Sequence, residues 1–168
     1  DKGNICIYNY KKEDFVNIPQ KLSEKNRINN CTQVYIKKIL YGNKRPYYLG
    51  DSEPNENDFL FKVVFDYGEH DTALDIPIDI ETQKNNWKCR KDPFSSYRSG
   101  FETRTYRRCN GIMLFHCFDE PDLPHSPYMV KSLELFYDDE LNLKGKFVEG
   151  FSFLVKVRQR GHKWDARL

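Results

Sequence analysis

The chain has 168 residues, of which 15% are aromatic and 31% are charged. This length suits one domain, and the net charge of +2 is too small to indicate a nucleic-acid or anionic-membrane partner. No stretch approaches the roughly 18 apolar residues of a transmembrane helix, and no signal peptide opens the chain. Because Asp1 is not Met and strand-like sequence follows almost at once, we expect an internal segment of a longer protein.

Three strands are predicted in the first half of the chain, at residues 4–10, 33–41 and 59–67. Apolar and aromatic residues are bunched or alternate with polar residues in each of them, as in half-buried strands. The polar, Pro-containing stretches 11–31 and 44–58 predict loops, with at most one short helical turn.

Successive side chains of a strand point to opposite faces of the sheet, so the sequence also assigns side chains to the faces of these strands. In the second strand, one face is expected to hold Val34, Ile36 and Leu40, and the other Tyr35, Ile39 and Tyr41. In the third strand, Phe61, Val63 and Phe65 are expected to pack inward, whereas Lys62 and Asp66 face away.

The second half begins with a long irregular stretch, residues 69–96, which holds a short predicted strand near Ile76–Ile80. Residues 100–108 and 112–118 then flank Asn110-Gly111. That dipeptide readily takes the two positive φ values of a type I′ turn, so we predict a β-hairpin there.

Two more strands are predicted, at 128–137 and 151–159, after the Pro-rich loop 119–127. In the last strand one face is expected to hold Phe151, Phe153, Val155 and Val157. At least seven strands and no convincing helix predict an all-β fold, built as an antiparallel meander with one or both faces wet.

Few residues resemble a catalytic or metal site, and no cofactor-binding motif occurs. Asp66, Glu69, His70 and Asp71 suggest a metal site, but successive residues at a strand end rarely converge on one ion. A solvated, charged strand exit is the preferred interpretation. A second group of acids lacks the spacing and glycine of a calcium loop. That group is Asp75, Asp79 and Glu81.

Histidine and cysteine offer no nucleophile. His116 and Cys117 are strand neighbours that point to opposite faces, and His125 and His162 have no recognisable partner. Five cysteines without CxxC spacing are expected to be free thiols. They are Cys6, Cys31, Cys89, Cys109 and Cys117.

A basic and aromatic run could form a single-stranded nucleic-acid platform, but a wet strand face with Arg lying over aromatic rings is preferred. The run comprises Tyr97, Arg98, Arg104, Tyr106, Arg107 and Arg108. We therefore expect no nucleic-acid partner, no cofactor and no metal.

Several stretches, taken together and in order, resemble the SpvB and toxin-complex B-component family, over residues 35–140. They are YIKKILYGNKRPY, FKVVFDYGEHD, WKCRKDPFSSYRSGFETRTYRRC, MLFHCFDE and SLELFYDDE. The long, non-repetitive segment DPFSSYRSGFETRTYRRC makes chance agreement improbable. The flanks 1–30 and 141–168 match more weakly.

The resemblance implies a single β segment, 1–168, of a larger secreted protein that is made in the cytoplasm. In such proteins a wall of antiparallel strands joins a C component in an Rhs-like shell around a cytotoxic effector, and the assembly docks on a pore-forming A component. The ADP-ribosyltransferase activity of the family needs a Glu-x-Glu motif that is absent here, so we expect no enzyme. The alternative is a binding module for a host receptor or partner toxin subunit.

The residues in the matching segments are expected to have structural roles, with the glycines in turns or bulges and Asp92-Pro93 starting a turn. Arg90, Arg98 and Arg104 are expected to pair with Asp66, Glu69 or Glu102. The motif residues are Tyr41, Gly42, Asn43, Asp66, Tyr67, Gly68, Glu69, Arg90, Asp92, Pro93, Phe94, Arg98, Gly100, Phe101, Arg104, Asn110 and Gly111.

Overall fold

The computed structural model describes residues 2–27, 32–70, 85–118, 126–138 and 151–163. Within these ranges it contains eight strands and one short 3₁₀ turn, Glu56–Asp58. The strands are β1 (Cys6–Lys12), β2 (Val34–Asn43), β3 (Phe59–Asp66), β4 (Phe94–Ser96), β5 (Thr103–Thr105), β6 (Gly111–His116), β7 (Tyr128–Tyr137) and β8 (Leu154–Gly161). None of the helical structure in the described residues could cross a bilayer.

Six strands form one antiparallel sheet in the order β1-β2-β3-β6-β7-β8, and β4 and β5 form a separate two-stranded ribbon between β3 and β6 in the chain. The predicted all-β antiparallel meander is therefore confirmed. The predicted strand at 128–137 is β7 with the same bounds. The short strand predicted near Ile76–Ile80 lies outside the described residues.

The predicted hairpin at Asn110-Gly111 is wrong. Gly111 is the first residue of β6, which pairs with β3 and β7 instead of with β5. The Asn110 backbone N–H donates to the Asp66 carbonyl at 2.8 Å, and the Asn110 carbonyl accepts from the Leu135 N–H at 2.9 Å. Pairing to two neighbouring strands overrides the local turn preference of Asn-Gly.

The predicted faces of β2 are also wrong. Tyr10 of β1 pairs with Ile36, and the preceding residue Asn9 pairs with Lys38, so Lys37 is an extra residue in a β-bulge. A bulge shifts the side-chain alternation by one position. Tyr35 and Leu40 are accordingly both buried.

On β3, the buried side chains are the opposite of those predicted. Lys62 and Asp66 are 2% and 3% exposed, whereas Phe61, Val63 and Phe65 are half-buried. Val64 of the buried face packs with Met113, Phe115 and Met129 across β3, β6 and β7. The sheet therefore buries the face that carries a lysine and an aspartate.

Lys62 can be buried because its ammonium is paired. Its Nζ lies 2.9 Å from Glu56 Oε1 in the 3₁₀ turn and 5.5 Å from the centre of the Phe115 ring. Lys38, its neighbour on β2, donates to the same carboxylate at 2.8 Å. The single carboxylate of Glu56 thus binds the ammonium groups of two lysines.

Neutralising this lysine should cost little, whereas removing its partner should destabilise the sheet. We expect Lys62→Met to lie within about 1 kcal/mol of the wild type, because Met preserves the packing and Glu56 keeps Lys38. Glu56→Gln should cost about 2 kcal/mol, since it removes the carboxylate that binds both the buried Lys62 ammonium and Lys38. Urea unfolding measures both.

Glu53→Gln is the matched control, because Glu53 is an exposed acid in the same loop. Equal costs for Glu56→Gln and Glu53→Gln would contradict the assigned role of the Glu56 carboxylate.

Candidate functional site

The chain reverses direction directly after β3, at residues 66–70. Gly68 has a φ of +95° there, and a Cβ at this position would lie 2.7 Å from Lys88 Cγ. Asp66 Oδ1 accepts hydrogen bonds from the backbone N–H of Gly68 at 3.1 Å and of His70 at 3.0 Å. Glu69 Oε2 accepts from the N–H of Tyr67 at 2.7 Å. Two carboxylates thus hold the turn against the strand end.

Residues 66–70 together with Lys37 are called the corner below. Lys37, its cation, comes from the bulge in β2. Lys37 Nζ donates to the Phe65 carbonyl at 2.8 Å and to Glu69 Oε1, and it lies 3.2 Å from His70 Nε2. Asp66, Glu69 and His70 are 3%, 0% and 7% exposed. The prediction of a solvated strand exit is therefore wrong for these three residues. Asp71 and the second acid group, Asp75, Asp79 and Glu81, lie outside the described residues.

Three potential metal ligands converge in this corner. One ligand atom each from Asp66, Glu69 and His70 lie within 4.8 Å of one another, although their proximity in sequence argued against convergence. The Lys37 ammonium already lies within hydrogen-bond distance of two of them, so a metal ion would have to displace it. The corner is built as an ion-pair network, and the absence of a metal cofactor stays a prediction.

The two carboxyl groups of the corner differ in pKa. Burial raises the pKa of Asp66 to about 6, and the negative charge of Glu69 adds to the rise. Burial also opposes ionisation of Glu69, but the hydrogen bond and charge of Lys37 outweigh it and hold the pKa of Glu69 below its usual range. Glu69 is therefore the carboxylate of the Lys37 pair, and Asp66 titrates near pH 6.

Three aromatic rings pack beside the corner. Tyr67 lies 4.6 Å from Trp87 and 5.6 Å from Tyr35 between ring centroids, and Tyr35 lies 5.7 Å from Trp87. The Tyr67 hydroxyl donates to the Ile36 carbonyl at 2.9 Å, and the Tyr35 hydroxyl accepts from the Tyr106 N–H at 3.0 Å. The rings thus connect the end of β3 to the segment that follows β5.

Arg107 is fully buried and joins three stretches of chain. Its Nε donates to the Glu13 carboxylate at 3.0 Å, and its Nη2 donates to Asp14 Oδ1 at 3.1 Å. The same guanidinium donates to the carbonyls of Trp87 at 2.9 Å and Val16 at 2.8 Å. A planar group with five donors can satisfy this set of acceptors, which a lysine could not.

The segment held by Arg107 has a strained backbone. Phe15 and Asn17 have φ values of 60° and 61°, in the left-handed region that non-glycine residues rarely adopt. Asn17 Nδ2 donates to the Trp87 carbonyl at 3.2 Å, beside the Arg107 contact to the same oxygen. The ion pair therefore holds a conformation that the segment alone would not favour.

Outer ion pairs fix the ribbon of β4 and β5. Arg104 Nη2 lies 2.6 Å from Glu24 Oε1, and the Tyr106 hydroxyl donates to the other oxygen of Glu24 at 2.7 Å. Arg27 Nε lies 2.8 Å from Glu102 Oε1. Arg104 thus binds Glu24 of the N-terminal segment, an acid that the predicted partners Asp66, Glu69 and Glu102 did not include.

Arg90 is likewise paired differently from the expectation. It forms two bonds of 2.9 Å with Asp92, whose carboxylate also accepts from the Ser152 N–H at 2.8 Å. Burial disfavours the charged form of Asp92, but the bonds from Arg90 and Ser152 lower its pKa to about 2. Asp92 therefore joins the loop before β4 to the residues that directly precede β8. Arg98, the third predicted arginine, is exposed.

The other motif residues are distributed around the sheet and the ribbon. Tyr41 stacks on Phe61 at 5.0 Å, and Asn43 Nδ2 donates to the Gly3 carbonyl at 2.9 Å. Phe94, Gly100 and Phe101 are exposed in the ribbon, whereas Pro93 is half-buried. Gly42 and Gly100 have positive φ, as predicted for turns or bulges, whereas Gly111 does not.

The basic and aromatic run does not form the wet face that was preferred for it. Tyr106 and Arg107 are buried, although Arg104 and Arg108 do lie over the rings of Tyr106 and Tyr137. Among the described cysteines, four are free as expected, and Cys31 lies outside that part of the chain.

A lack of recognisable partners was predicted for His125 and His162. His162 Nε2 lies 2.8 Å from Ser132 Oγ, so the prediction is wrong for His162, while His125 is not described. His116 Nδ1 lies 3.0 Å from the Tyr128 hydroxyl, and Cys117 packs against the Val64 cluster. His116 and Cys117 therefore have separate surroundings.

No role was predicted for Lys37, Glu13 or Glu24, and Arg107 was predicted only as part of a wet strand face or, as the alternative, of a nucleic-acid platform. Each lies in a polar or mixed stretch where ordinary solvent exposure is the default expectation. The two consecutive lysines, Lys37 and Lys38, which interrupt the apolar alternation of β2, were the available signal.

Asp66 should make the stability of the protein depend on pH. A carboxyl whose pKa rises on folding binds its proton more tightly in the folded state, so its contribution is complete below about pH 4 and is lost as pH rises through 6. We expect Asp66→Asn to gain roughly 2 kcal/mol relative to the wild type between pH 4 and pH 7. Chemical denaturation across this range, with Glu53→Gln as control, measures the difference, and a pH-independent difference would refute the shift.

Arg107 should tolerate no conservative replacement. Arg107→Lys keeps the charge but loses the fork that reaches Glu13, Trp87 and Val16 together, so we expect a loss of about 3 kcal/mol. Arg98→Lys, the same exchange at an exposed position, should change the free energy of unfolding by less than about 0.5 kcal/mol. Similar losses in the two variants would contradict the assigned role of the Arg107 guanidinium.

Comparison with known proteins agrees with the resemblance found in the sequence. The family model described as SpvB, Salmonella virulence plasmid 65kDa B protein, matches residues 1–118. Mono(ADP-ribosyl)transferase SpvB of Salmonella typhimurium (strain 14028s / SGSC 2262) and that of Salmonella choleraesuis are each 35% identical over 140 residues. This match covers 82% of the chain but only 23% of either relative.

Solved structures share the fold. The crystal structure of TcdB2-TccC3 matches with a TM-score of 0.78 and 31% identity, over 96% of this chain and 8% of that one. The Photorhabdus luminescens Tc holotoxin pore matches with a TM-score of 0.76 and 30% identity, over 94% and 7%. The N-terminal domain of effector protein SpvB from Salmonella typhimurium strain LT2 gives 0.74 and 30%, over 96% and 48%. The chain belongs to the SpvB family and is homologous to the N-terminal domain of SpvB and to components of Tc toxins.

Proposed function

We propose that this chain is a non-catalytic structural segment of a secreted, toxin-complex B-type virulence protein. Its strands contribute to the β shell that encloses and delivers a cytotoxic effector, together with a C component and a pore-forming A component. The observation that supports this most directly is a single six-stranded sheet in which β1 and β8 each have only one strand neighbour among the described residues. Such a sheet suits a wall that continues through further strands.

The apolar surface near β8 favours the same function. Phe151, Phe153, Val155 and Val157 are all exposed, although a bulge at Val155 interrupts their alternation. Contiguous apolar residues beside an open sheet edge are costly in water and are suited to contact with another element. A neighbouring part of the wall would cover them.

The burial of the acids supports a non-catalytic role. Asp66 and Glu69 are close together, as a pair of catalytic carboxylates would be, but they are buried and Glu69 is paired with Lys37. General acid–base chemistry needs a carboxyl within hydrogen-bond reach of a substrate. The paired-glutamate motif of the family's transferase is also absent from the sequence.

A binding module is the second candidate, and one surface favours it. Phe94, Tyr97 and Phe101 are exposed on the β4–β5 ribbon, which lies outside the main sheet. Exposed aromatic residues are frequent binding hot spots.

The shell function can be tested in the longer protein that contains this segment, co-expressed with its C component. We expect Arg107→Ala to weaken the wall, so that the enclosed effector loses protection from added protease at a temperature at which the wild type still protects it. Arg98→Ala, at an exposed position, should retain wild-type protection. The measurement is the half-life of the intact effector against temperature.

Three results would contradict the proposal. Unchanged protection in an Arg107→Ala protein whose segment has lost stability would mean that the segment does not enclose the effector. Loss of a catalytic activity in a folded Glu69→Gln variant would make the segment an enzyme. If Tyr97→Ser with Phe101→Ser instead abolishes binding to host cells without affecting protection, the binding module replaces the wall.

A further inference from the structure

The last strand of the sheet and the residues before it carry a contiguous apolar surface. Phe151, Phe153, Leu154, Val155 and Val157 are each between 45% and 62% exposed. Single apolar residues are common at protein surfaces, but a cluster this dense marks a site of contact. Among the described strands β8 has β7 as its one neighbour, so the backbone groups on its other side form an edge that can pair.

Two carboxylates hold the residues before β8 in one conformation. Asp92 accepts hydrogen bonds from the N–H and the hydroxyl of Ser152, both at 2.8 Å. Asp138 Oδ1 accepts from the Phe153 N–H at 2.9 Å, and the Asp138 N–H donates to the Phe153 carbonyl at 3.1 Å. The rings of Phe151 and Phe153, with centroids 6.5 Å apart, therefore project from a fixed backbone. A surface that is ordered beforehand loses little entropy when it is covered.

The register with β7 divides the side chains of β8 between two faces. Leu154 lies opposite Tyr137, and Val157 lies opposite Leu135, so both share the face of these two apolar residues. They can lie on one face because Val155 is the extra residue of a bulge. One face of β8 is therefore apolar.

The other face of β8 is basic. Lys156 Nζ and Arg158 Cζ lie 5.3 Å and 5.0 Å from the centre of the Phe136 ring. Arg158 Nη1 also lies 3.3 Å from Glu134 Oε2, so β7 places an acid and an aromatic ring against this face. A strand added at the open edge would lie on the other side of the same two cations. Opposite charges on neighbouring strands stabilise the pair, whereas like charges destabilise it.

The open edge selects an extended segment as the occupant. A strand forms backbone hydrogen bonds with the edge while its alternate side chains cover both faces, whereas a helix covers one face and leaves the edge unpaired. The pairings within the six-stranded sheet are all antiparallel, so an antiparallel neighbour continues the pattern.

The relatives indicate where such a segment comes from. The match covers 96% of this chain but 48% of the N-terminal domain of SpvB from Salmonella typhimurium. That homologous domain therefore has a comparable length of further chain. A second copy of this chain is a poorer occupant, because β8 itself contains lysine and arginine but no acid and would place cations beside cations.

We propose that the open edge of β8 pairs with an extended segment of the longer protein in which acidic and apolar residues alternate. The apolar side chains of that segment pack against Leu154 and Val157, and its acids lie beside Lys156 and Arg158. The inference rests on the proposed shell function, since it names the chemistry of the wall segment next to β8.

Strands fused to the chain test this chemistry. The sequences Thr-Glu-Val-Glu-Val-Thr, Thr-Lys-Val-Lys-Val-Thr and Thr-Glu-Thr-Glu-Thr-Thr are each appended after Leu168 through a flexible Gly/Ser linker, which gives an effective concentration of about millimolar. We expect the acidic and apolar strand to slow hydrogen exchange of the β8 amides that point away from β7 about tenfold. The basic strand and the strand without valine should slow it less than about twofold.

A charge exchange on β8 gives the matched comparison. Lys156→Glu should weaken the protection given by the acidic strand and strengthen the protection given by the basic strand, because it replaces an attraction by a repulsion. Lys12→Glu, at an exposed position in the opposite edge strand β1, should change neither.

Val157→Cys in the longer protein tests the source of the segment. We expect its thiol to be alkylated at least about tenfold more slowly than that of Tyr48→Cys, both with and without the C component. Tyr48 is the matched control, because it is 56% exposed in this structure where Val157 is 52% exposed. This comparison within the longer protein does not require the isolated chain to fold.

Four outcomes would overturn the proposal. They are equal exchange protection by the acidic and the basic strand, and equal alkylation rates at positions 157 and 48 of the longer protein. Alkylation at position 157 that slows only when the C component is added would make that component the occupant. Self-association that protects position 157 would make a second copy the occupant. Effector protection from protease is measured separately, so failure of the shell function and failure of this pairing are distinguishable.

Discussion

The buried guanidinium of Arg107 holds together parts of the chain that no strand pairing joins. The segment after β1, the loop around Trp87 and the residues after β5 all bring acceptors to it. Since its charge is removed from water, the arrangement is stable only while Glu13 remains in place. The strained backbone at Phe15 and Asn17 follows from the same constraint, because the segment must curve to deliver two carboxylates and a carbonyl to one planar group.

Ion pairs join separate segments at three further places in the described structure. Lys37 with Glu69, Lys62 with Glu56 and Arg104 with Glu24 each join an element to one that is distant in sequence or outside its sheet pairing. A single-layer sheet cannot bury enough apolar surface to fix its loops by hydrophobic contact alone. Hydrogen-bonded ion pairs have directional geometry, so they position these loops where apolar packing would leave several arrangements of similar energy.

The sequence predicted the strands where the apolar period was uninterrupted, and failed where a tertiary contact changed the local preference. β7 was predicted to the residue because a run rich in apolar and aromatic residues is bounded by Pro127 before it and by Asp138-Asp139 after it. The bulge at Lys37 shifted the alternation of side chains along β2 by one position, so the expected faces of this strand were wrong. Backbone hydrogen bonds from Asn110 to two neighbouring segments took the place of the turn that Asn-Gly favours locally. The ion pairs could not be assigned, because opposite charges are abundant and their pairing depends on how distant segments meet. The family could be recognised from several matching stretches in the same order, whereas the contacts of Arg107 with Glu13, Trp87 and Val16 were seen only in the folded structure.

These features together explain how a polar chain can form a sheet with one buried face. Burying the face of Lys62 and Asp66 leaves the opposite face, with Phe61, Val63 and Phe65, only half-buried and able to contact another surface. Because paired charges stabilise the buried face, the chain does not need two fully apolar faces, which in isolation would promote aggregation. Over the described residues, the sheet thus combines a half-buried apolar face with a buried face that is held by internal ion pairs.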